Sequence, residues 1–530
     1  MQRSILEGGL IMEKVLLSID CGTQSLRALM FTDGGDLLDK EQIKYDPYFS
    51  KQPGWAEQDP EIFWKSVCEA CSILKKRSPA FFQKIAGVGV TTQRASMINV
   101  DRAGNVLRPV IIWLDQRKAK PVYIPNPVVR LGLKIVGMDE PIAKTQTDGK
   151  CNWIMQQQPE IWKKTHKYLQ VSGFLNHRLS GEFKDSVASQ IGHIPFNYKK
   201  MQWAKPGDLP SRLFPVPMEK LPELVTPGHK IGSITPKAAS ETGILEGIPV
   251  IACGSDKGCE TIGMGVLNQK MASLSFGTTA TVQTTTRKYF EPLAFLPPYP
   301  APIPGHYNPE VEILRGYWMI TWFKNEFAHK EVALAEEKGV SPEEMLNHLL
   351  DEVPAGSMGL MVQPYWSPGL KEPVAKGAMI GFGDVHTRAH VYRAVIEGLA
   401  FGLLEGLEKM EKAGKTRVEK LAVSGGASQS DSICQISANI FNLPLVRGKT
   451  SETSGLGAAI VTSVGIGIYP TIPDAIQKMV SYAKVFKPEP DYVDIYRNLY
   501  ERVYKKIYHA LEPIYHEIRE ITGYPEKETY

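Results

Sequence analysis

Hydrophobic positions along the chain follow two periods. Residues 15–20 (VLLSID) form a short apolar run of β type closed by Gly22, and residues 28–32 resume it after a polar turn. That is a strand–turn–strand signal. Further strand-like runs are predicted at 85–91, 109–113 and 249–253, with helical stretches at 60–76 and 152–180, the second ending near Ser180-Gly181. A second series opens at 271–276 and turns at Gly277-Thr278-Thr279. Helical spacing follows at 341–352 and strongly at 388–413. A strand is expected at 421–424, entering a Gly-Gly turn, then a helix at 430–442. Residues 455–465 predict a helix rich in small residues, a sign of close packing against backbone.

The two halves echo each other. Residues 19–25 (IDCGTQS) and 275–281 (SFGTTAT) each place Gly-Thr in a turn after an apolar strand, with Gly22 and Gly277 255 positions apart. This predicts two similarly built α/β domains facing a shared cleft. Residues 284–310, rich in proline and aromatics without a period, read as a long ordered loop. The tail at 491–521 reads as helical, with Tyr496, Tyr500, Tyr504 and Tyr508 four apart as a packing stripe.

Composition narrows the class. With 530 residues, 43% hydrophobic and 22% charged, the chain can bury a large core without staples. The 61 basic and 57 acidic side chains leave +4 with no long run of one sign, so nucleic acid and membrane surfaces are not expected partners. No apolar run reaches the roughly 18 residues of a spanning helix. Residues 1–13 read as a short leader without a secretory cleavage site, and seven cysteines in this length suit a reducing, cytoplasmic setting. Cys68 and Cys71 form a C-x-x-C pair on the apolar side of a helix, the place of core cysteines.

Several motifs are decoys. Gly414-Lys415-Thr416 and Gly448-Lys449-Thr450 imitate the end of a phosphate-binding loop, but Lys409 and Leu443 stand where its first glycine is required. No G-x-G-x-x-G follows a strand, so an oxidoreductase has no anchor. His386 and His390 lack partners at metal spacing and read as surface or structural residues, whereas Trp366 suits either core packing or a sugar face. Three glycine turns remain. Asp20-Cys21-Gly22-Thr23-Gln24-Ser25 joins a carboxylate at a strand end to backbone donors and two hydroxyls, a match for a hard cation and phosphate oxygens. Gly277-Thr278-Thr279 offers the donors alone. At Gly425-Gly426-Ala427-Ser428, small residues between strand and helix let a flat ring or phosphate approach the backbone. Asp256, in Gly254-Ser255-Asp256-Lys257-Gly258, follows a strand, where a carboxylate either caps a helix or accepts a proton from an attacking hydroxyl.

Taken in order, these stretches resemble the FGGY family of carbohydrate kinases, over about residues 14–485. The most specific is 377–397 (GAMIGFGDVHTRAHVYRAVIE), which follows the family's C-terminal signature through Gly377, Gly381, His390, Ala394 and Glu397. D-x-G-T-x-S at 20–25, W-x-D-x-R at 113–117, G-x-D at 254–256, G-T at 277–278 and G-G-A at 425–427 complete the set.

The resemblance implies two actin-like, ribonuclease-H-type domains flanking an ATP and sugar cleft. These would be an N-terminal domain at 14–267 for sugar and phosphate, a C-terminal domain at 268–485 for adenosine, and a helical tail at 486–530. It implies Asp256 as general base and Asp20 holding Mg²⁺ through water. Thr23, Ser25, Arg27, Gly277 and Thr278 would serve the ATP phosphates, and Gly425, Gly426 and Ala427 the adenosine. Gln93, Arg94 and Asp256 would meet the acceptor; beside them Trp113, next to Asp115, is the candidate to stack on a sugar face, and Lys257 is a further candidate contact. Dimers among related kinases make a homodimer the candidate assembly.

The chain departs from the pattern at four places. Ala95 replaces the glutamate of the glycerol-kinase stretch Gln-Arg-Glu, and residues 92–97 (TQRASM) lack the Met-His pair of xylulose kinases. Cys151 interrupts the partly kept N-terminal signature at 150–153. Lys257 stands where those kinases place Gln or Asn, which favours an anionic or strongly polar acceptor such as a sugar acid, unless Lys257 pairs with Glu260 or Asp256 at a helix start. The expected function is ATP-dependent phosphorylation of a small sugar, polyol or sugar acid. Alternatives are a glycerol- or pentulose-specific kinase and a non-catalytic actin-like nucleotide sensor.

Overall fold

The computed structural model describes residues 14–525 apart from 368–371 and 373; the leader expected at 1–13 lies outside them. In the N-terminal half, β1 (Val15–Cys21), β2 (Ser25–Phe31), β3 (Leu37–Lys44), β4 (Ile85–Thr92), β5 (Lys230–Ser233) and β6 (Pro249–Ile251) form one sheet in the order β3-β2-β1-β4-β6-β5. The first three make an antiparallel meander, β4 and β6 run parallel to β1, and β5 closes the edge antiparallel. Every residue of β1 is buried, as expected of a strand covered on both faces.

The C-terminal half repeats the plan. Strands β7 (Met271–Phe276), β8 (Ala280–Gln283), β9 (Glu310–Ile313), β10 (Lys420–Ser424), β11 (Leu445–Gly448) and β12 (Tyr482–Phe486) lie in the order β9-β8-β7-β10-β11-β12. Again there is a meander, two parallel strands and an antiparallel edge. Gly22 and Gly277 both lie in the turn joining the first two strands of their sheets, so the sequence echo marks two copies of one ribonuclease-H-like core.

Helices cover these sheets. α1 (Glu61–Arg77) buries Phe63, Trp64, Val67, Ala70, Cys71 and Leu74 against the first sheet, together with α2 (Val171–Ser180). Cys68 and Cys71 are free, and burial pushes the Cys68 thiol up to about 11, away from thiolate chemistry. Between the sheets lie α3 (Asp256–Gly263) and, later in the chain, the helix Thr453–Gly465. The 27-residue α4 (Arg388–Gly414) lies over β8 and β9, followed by α5 (Asp431–Phe441) and α6 (Thr453–Gly465). Although α6 comes from the C-terminal half, it packs on the first sheet: its Gly455 faces Leu29 and Phe31, and Gly465 faces Ile251. A Cβ on Gly457 would lie 1.9 Å from the Cys259 carbonyl oxygen of α3. The small-residue pattern at 455–465 is thus a helix–helix contact between the halves.

Three sequence expectations change. The helix predicted across 152–180 is three helices (Lys150–Gln157, Pro159–Lys164 and α2) interrupted by a strand, Lys167–Gln170, paired with Met97–Val100. Pro159 cannot continue the first helix, and the four-residue run before α2 buries Tyr168, Leu169 and Gln170; a run that short carries no readable period. The loop at 284–310 contains a two-residue strand pair, Tyr299–Pro300 with Tyr307–Asn308, and ends inside β9. The tail is α7 (Pro490–Leu499) and α8 (Lys505–Thr522), joined by a π turn, with Tyr496, Tyr500 and Tyr504 buried around Phe401 of α4. Among the described residues no helix is long and apolar enough to cross a membrane.

Candidate active site

The site forms where the strand ends of the two sheets face each other. Asp20 is the penultimate residue of β1 and stands opposite Arg27 of β2 in register. Its carboxylate lies 3.6 Å from Arg27 Nη1, and Arg27 also approaches Glu452 at 3.6 Å. Burial pushes Asp20 up to about 7; Arg27 works against this, and Asp256, Glu452 and Glu260 add to it. An acidic group so poorly compensated suits a cation. Among the described residues no cluster of three acidic, histidine or cysteine side chains would cage a metal. Mg²⁺ asks for less: one or two carboxylates, water and substrate phosphates. Asp20 fits that role.

The next turn joins three predicted residues. Trp113 Nε1 donates to Thr23 Oγ1 at 2.9 Å, and Thr23 Oγ1 donates to Gln93 Oε1 at 2.9 Å. Gln93 is 4% exposed, and its Nε2 is an unpartnered buried donor. The Thr23 hydroxyl is therefore engaged by Trp113 and Gln93. Ser25 is buried and its hydroxyl accepts from Gln42 Nε2 at 2.9 Å. The W-x-D-x-R motif is a buttress beneath Trp113. Asp115 accepts from Arg117 Nε and the Ala56 N–H, while the Arg117 guanidinium stacks on Trp55 at 3.9 Å and on Trp153 at 4.6 Å.

Asp256 opens α3 but does not cap it. Ser255 is the cap, accepting from Gly258 N at 3.3 Å, which leaves the Asp256 carboxylate with one local bond, from Lys257 N at 2.8 Å. Arg94 Nε lies 3.9 Å away, and Arg94 Nη1 donates to Glu310 Oε1 of β9 at 2.9 Å over the Tyr299 ring. Burial raises the Asp256 pKa while Arg94 and Lys257 lower it, for a net upward shift. Burial opposes the Arg94 charge, but Glu310 and Asp256 outweigh it.

Lys257 is engaged by neighbouring protein groups. Its Nζ donates to Glu260 Oε2 at 2.9 Å and to Ser275 Oγ, and a Cβ on Gly277 would lie 3.9 Å from it. Pairing with Glu260, rather than a free charge for a sugar acid, is what the structure shows. Glu260 Oε1 also accepts from Ser275 at 2.9 Å and from Ser424, so one carboxylate of α3 holds the ends of β7 and β10. Those strands lead into the two remaining glycine turns.

The turns bound a cavity of about 730 Å³, lined among others by Gly277, Thr278, Tyr317, Glu343, Gly426 and Ala427. Gly425 is outside its lining: at φ +87° it lies against Phe276, where a Cβ would come within 2.7 Å of the backbone. A separate cavity of about 590 Å³, lined by Leu267, Thr286, Arg287, His306 and Pro473, contains none of these residues.

Other singled-out residues are structural. His390 Nδ1 accepts from the Thr387 N–H, capping α4. Glu397 of the signature binds Gly356 N, Ser357, Arg393 and Tyr496, fastening the tail. Trp366 packs edge-on against Trp322. Sequence reasoning named Glu260 only as a partner for Lys257 and passed over Glu310, Glu312 and Glu452. The alternation Glu310-Val311-Glu312-Ile313 was a signal for a strand with one acidic face; the proline-rich loop before it obscured it.

Comparison with known proteins bears on the family and the fold. Residues 15–263 match the N-terminal domain, and residues 272–466 the C-terminal domain, of the FGGY family of carbohydrate kinases. An uncharacterized sugar kinase of Escherichia coli is 29% identical over 90% of this chain and 89% of its own length. A xylulose kinase of Lactococcus lactis is 27% identical over 95% and 98%. The crystal structure of gluconate kinase from Lactobacillus acidophilus superposes with a TM-score of 0.80 at 23% identity, covering 96% of this chain and all of that one.

Proposed function

The chain belongs to the FGGY family of carbohydrate kinases, and from that premise we propose that it transfers the γ-phosphoryl group of ATP to a hydroxyl of a small sugar, polyol or sugar acid, with Asp256 as general base. The observation that carries this is the Asp256 carboxylate, free of the capping role that Ser255 fills and lying 3.9 Å from Arg94. The acceptor hydroxyl gives its proton to Asp256 as its oxygen bonds to the γ-phosphorus, and the bond to the β-phosphate oxygen breaks to release ADP. An upward-shifted carboxylate is the better proton acceptor.

Positioning and charge neutralisation supply the rest of the rate. On the nucleotide side, Gly277, Thr278, Gly426 and Ala427 border the 730 Å³ cavity, Gly425 sets the shape of the turn, and Arg27 supplies positive charge beside Asp20. The backbone around Thr23 and Ser25 faces the phosphates. Asp20 would hold Mg²⁺, which supplies neutralisation of phosphate charge when bound. On the acceptor side, Gln93 and Arg94 offer donors and Trp113 a ring face. The 14–267 half supplies most of the acceptor side, where Glu310 of the other half meets Arg94, the 268–485 half supplies the adenosine side, and α3 joins them through Glu260. The xylulose and gluconate kinases among the relatives support a small polyhydroxy acceptor.

ADP release from Mg-ATP across polyols, ketoses, aldoses and sugar acids tests this, with Asp256→Ala as control. One acceptor lifting the rate far above background, with the signal lost in the variant, is the expected result. A flat panel with ATP bound tightly would instead favour a nucleotide sensor.

A further inference from the structure

On the basis of that kinase reading, we propose that the acceptor is a neutral polyol or sugar, and that Glu312 is the residue that selects it over sugar acids. The placement of Glu312 follows from register. In β9, Val311 and Ile313 face α4, since Cβ atoms on its Gly406 and Gly402 would meet them at 2.9 and 2.8 Å. Alternation therefore turns Glu310 and Glu312 to the opposite face, towards α3 and the cleft. Across the sheet that face is polar in two rows: Ser424, Ser275, Thr281 and Glu312 in one, Ser273, Gln283 and Glu310 in the other.

Charge in this corner is unevenly matched. Arg94 is paired with Glu310 at 2.9 Å, and Lys257 with Glu260 at 2.9 Å. Glu312 has no hydrogen bond or ion pair among the described residues; the charged groups around it are Glu310, Arg94 and Lys257. Asp256 accepts from the Lys257 N–H at 2.8 Å, and its ion pair among the described residues is the longer 3.9 Å approach of Arg94. Two carboxylates thus face the acceptor space with their compensating cations engaged elsewhere. A carboxylate or phosphate on the acceptor would meet like charge there, a cost expressed as specificity. Hydroxyl groups instead donate to both carboxylates, and the unpartnered Gln93 Nε2 and the Arg94 guanidinium donate back to acceptor oxygens. Ala95 continues the pattern: at φ +55° it packs against Gly192 and contributes no polar group of its own.

The test compares matched acceptors, glycerol with glycerate and glucitol with gluconate, in wild type, Glu312→Gln and Glu312→Leu. Turnover is read as kcat/KM, and binding by calorimetry with a non-hydrolysable ATP analogue. Wild type should favour the neutral member of a pair on the order of 100-fold. Glu312→Gln should narrow that ratio by about tenfold or more by admitting the acid, and Glu312→Leu should also raise KM for the neutral acceptor. Preference for the acid in wild type, or a ratio unmoved in both variants, overturns the proposal while leaving the kinase intact. Neutral acceptors that bind through Glu312 without turnover would uphold it and sink the kinase reading. Failure of every neutral acceptor to bind would overturn it as well.

Discussion

Arg94 of the N-terminal half and Glu310 of the C-terminal half meet at 2.9 Å over the ring of Tyr299. Their side chains are 17% and 4% exposed, so this pair links the halves beside the acceptor space in a poorly hydrated setting. Breaking a buried pair leaves an uncompensated charge. Glu310→Ala should cost about 3 kcal/mol of stability in chemical denaturation. It should also raise the acceptor KM, because Arg94 then falls towards Asp256. Wild-type stability in that variant would show that the pair is well solvated.

Ser255 and Asp256 are neighbours with separable roles. Asp256→Asn should lower kcat by roughly 10²–10⁴-fold with little change in melting temperature. Ser255→Ala should cost about 1 kcal/mol of stability through loss of the cap. Steady-state kinetics and thermal melts on the two proteins decide the matter; a large melting shift in Asp256→Asn would return that carboxylate to a structural role.

Asp20 predicts a pH dependence with a definite sign. Its carboxyl is pushed up to about 7 from an ordinary 3.8, so the folded, ligand-free protein holds this proton more tightly than the unfolded chain. Its contribution to stability is present below the ordinary carboxylate range and is lost as pH rises towards 7. Asp20→Asn should therefore raise the melting temperature of ligand-free protein in neutral and alkaline buffer and leave it unchanged in acid. Cation binding needs the ionised form, so the affinity for Mg-ATP should climb with pH through about 7 and then level off. Identical pH profiles for wild type and Asp20→Asn would remove Asp20 from the nucleotide site.

The glycine turns offer a contrast between strain and access. Gly425 has φ +87° and no room for a Cβ beside Phe276, whereas a Cβ on Gly426 meets nothing within 4 Å, at the lining of the 730 Å³ cavity proposed to take the nucleotide. Gly425→Ala should lose stability by about 1 kcal/mol or more as well as ATP affinity. Gly426→Ala should keep the fold and lose affinity alone. Equal melting temperatures with equal ATP affinities in both variants would contradict this division.

Lys257 and Glu260 form the link between the candidate base and the strand ends at Ser275 and Ser424. Lys257→Met should lower kcat more than it raises the acceptor KM, since its Nζ lies at Ser275 and near Gly277. A change confined to the acceptor KM would put Lys257 on the substrate after all.

By itself the sequence determined the local chemistry. The strand–glycine turns at Asp20, Gly277 and Gly425, the carboxylate following β6, the long helix α4 and the doubled plan were all legible, because each depends on residues close in the chain. The small-residue run at 455–465 announced close packing, though not its partner, α3. Only the tertiary structure decided which charges remain free. By sequence Lys257 was open either to an acid substrate or to a pair with Glu260, and the fold engages it with Glu260, three residues on, and with Ser275 of the other half. Arg94 is matched by Glu310, 216 residues away, and Glu312 gains meaning only from the alternation of β9 against α4. Pairing of buried charges is a long-range property of packing, so a sequence read in short windows shows the charges but not which of them are already compensated.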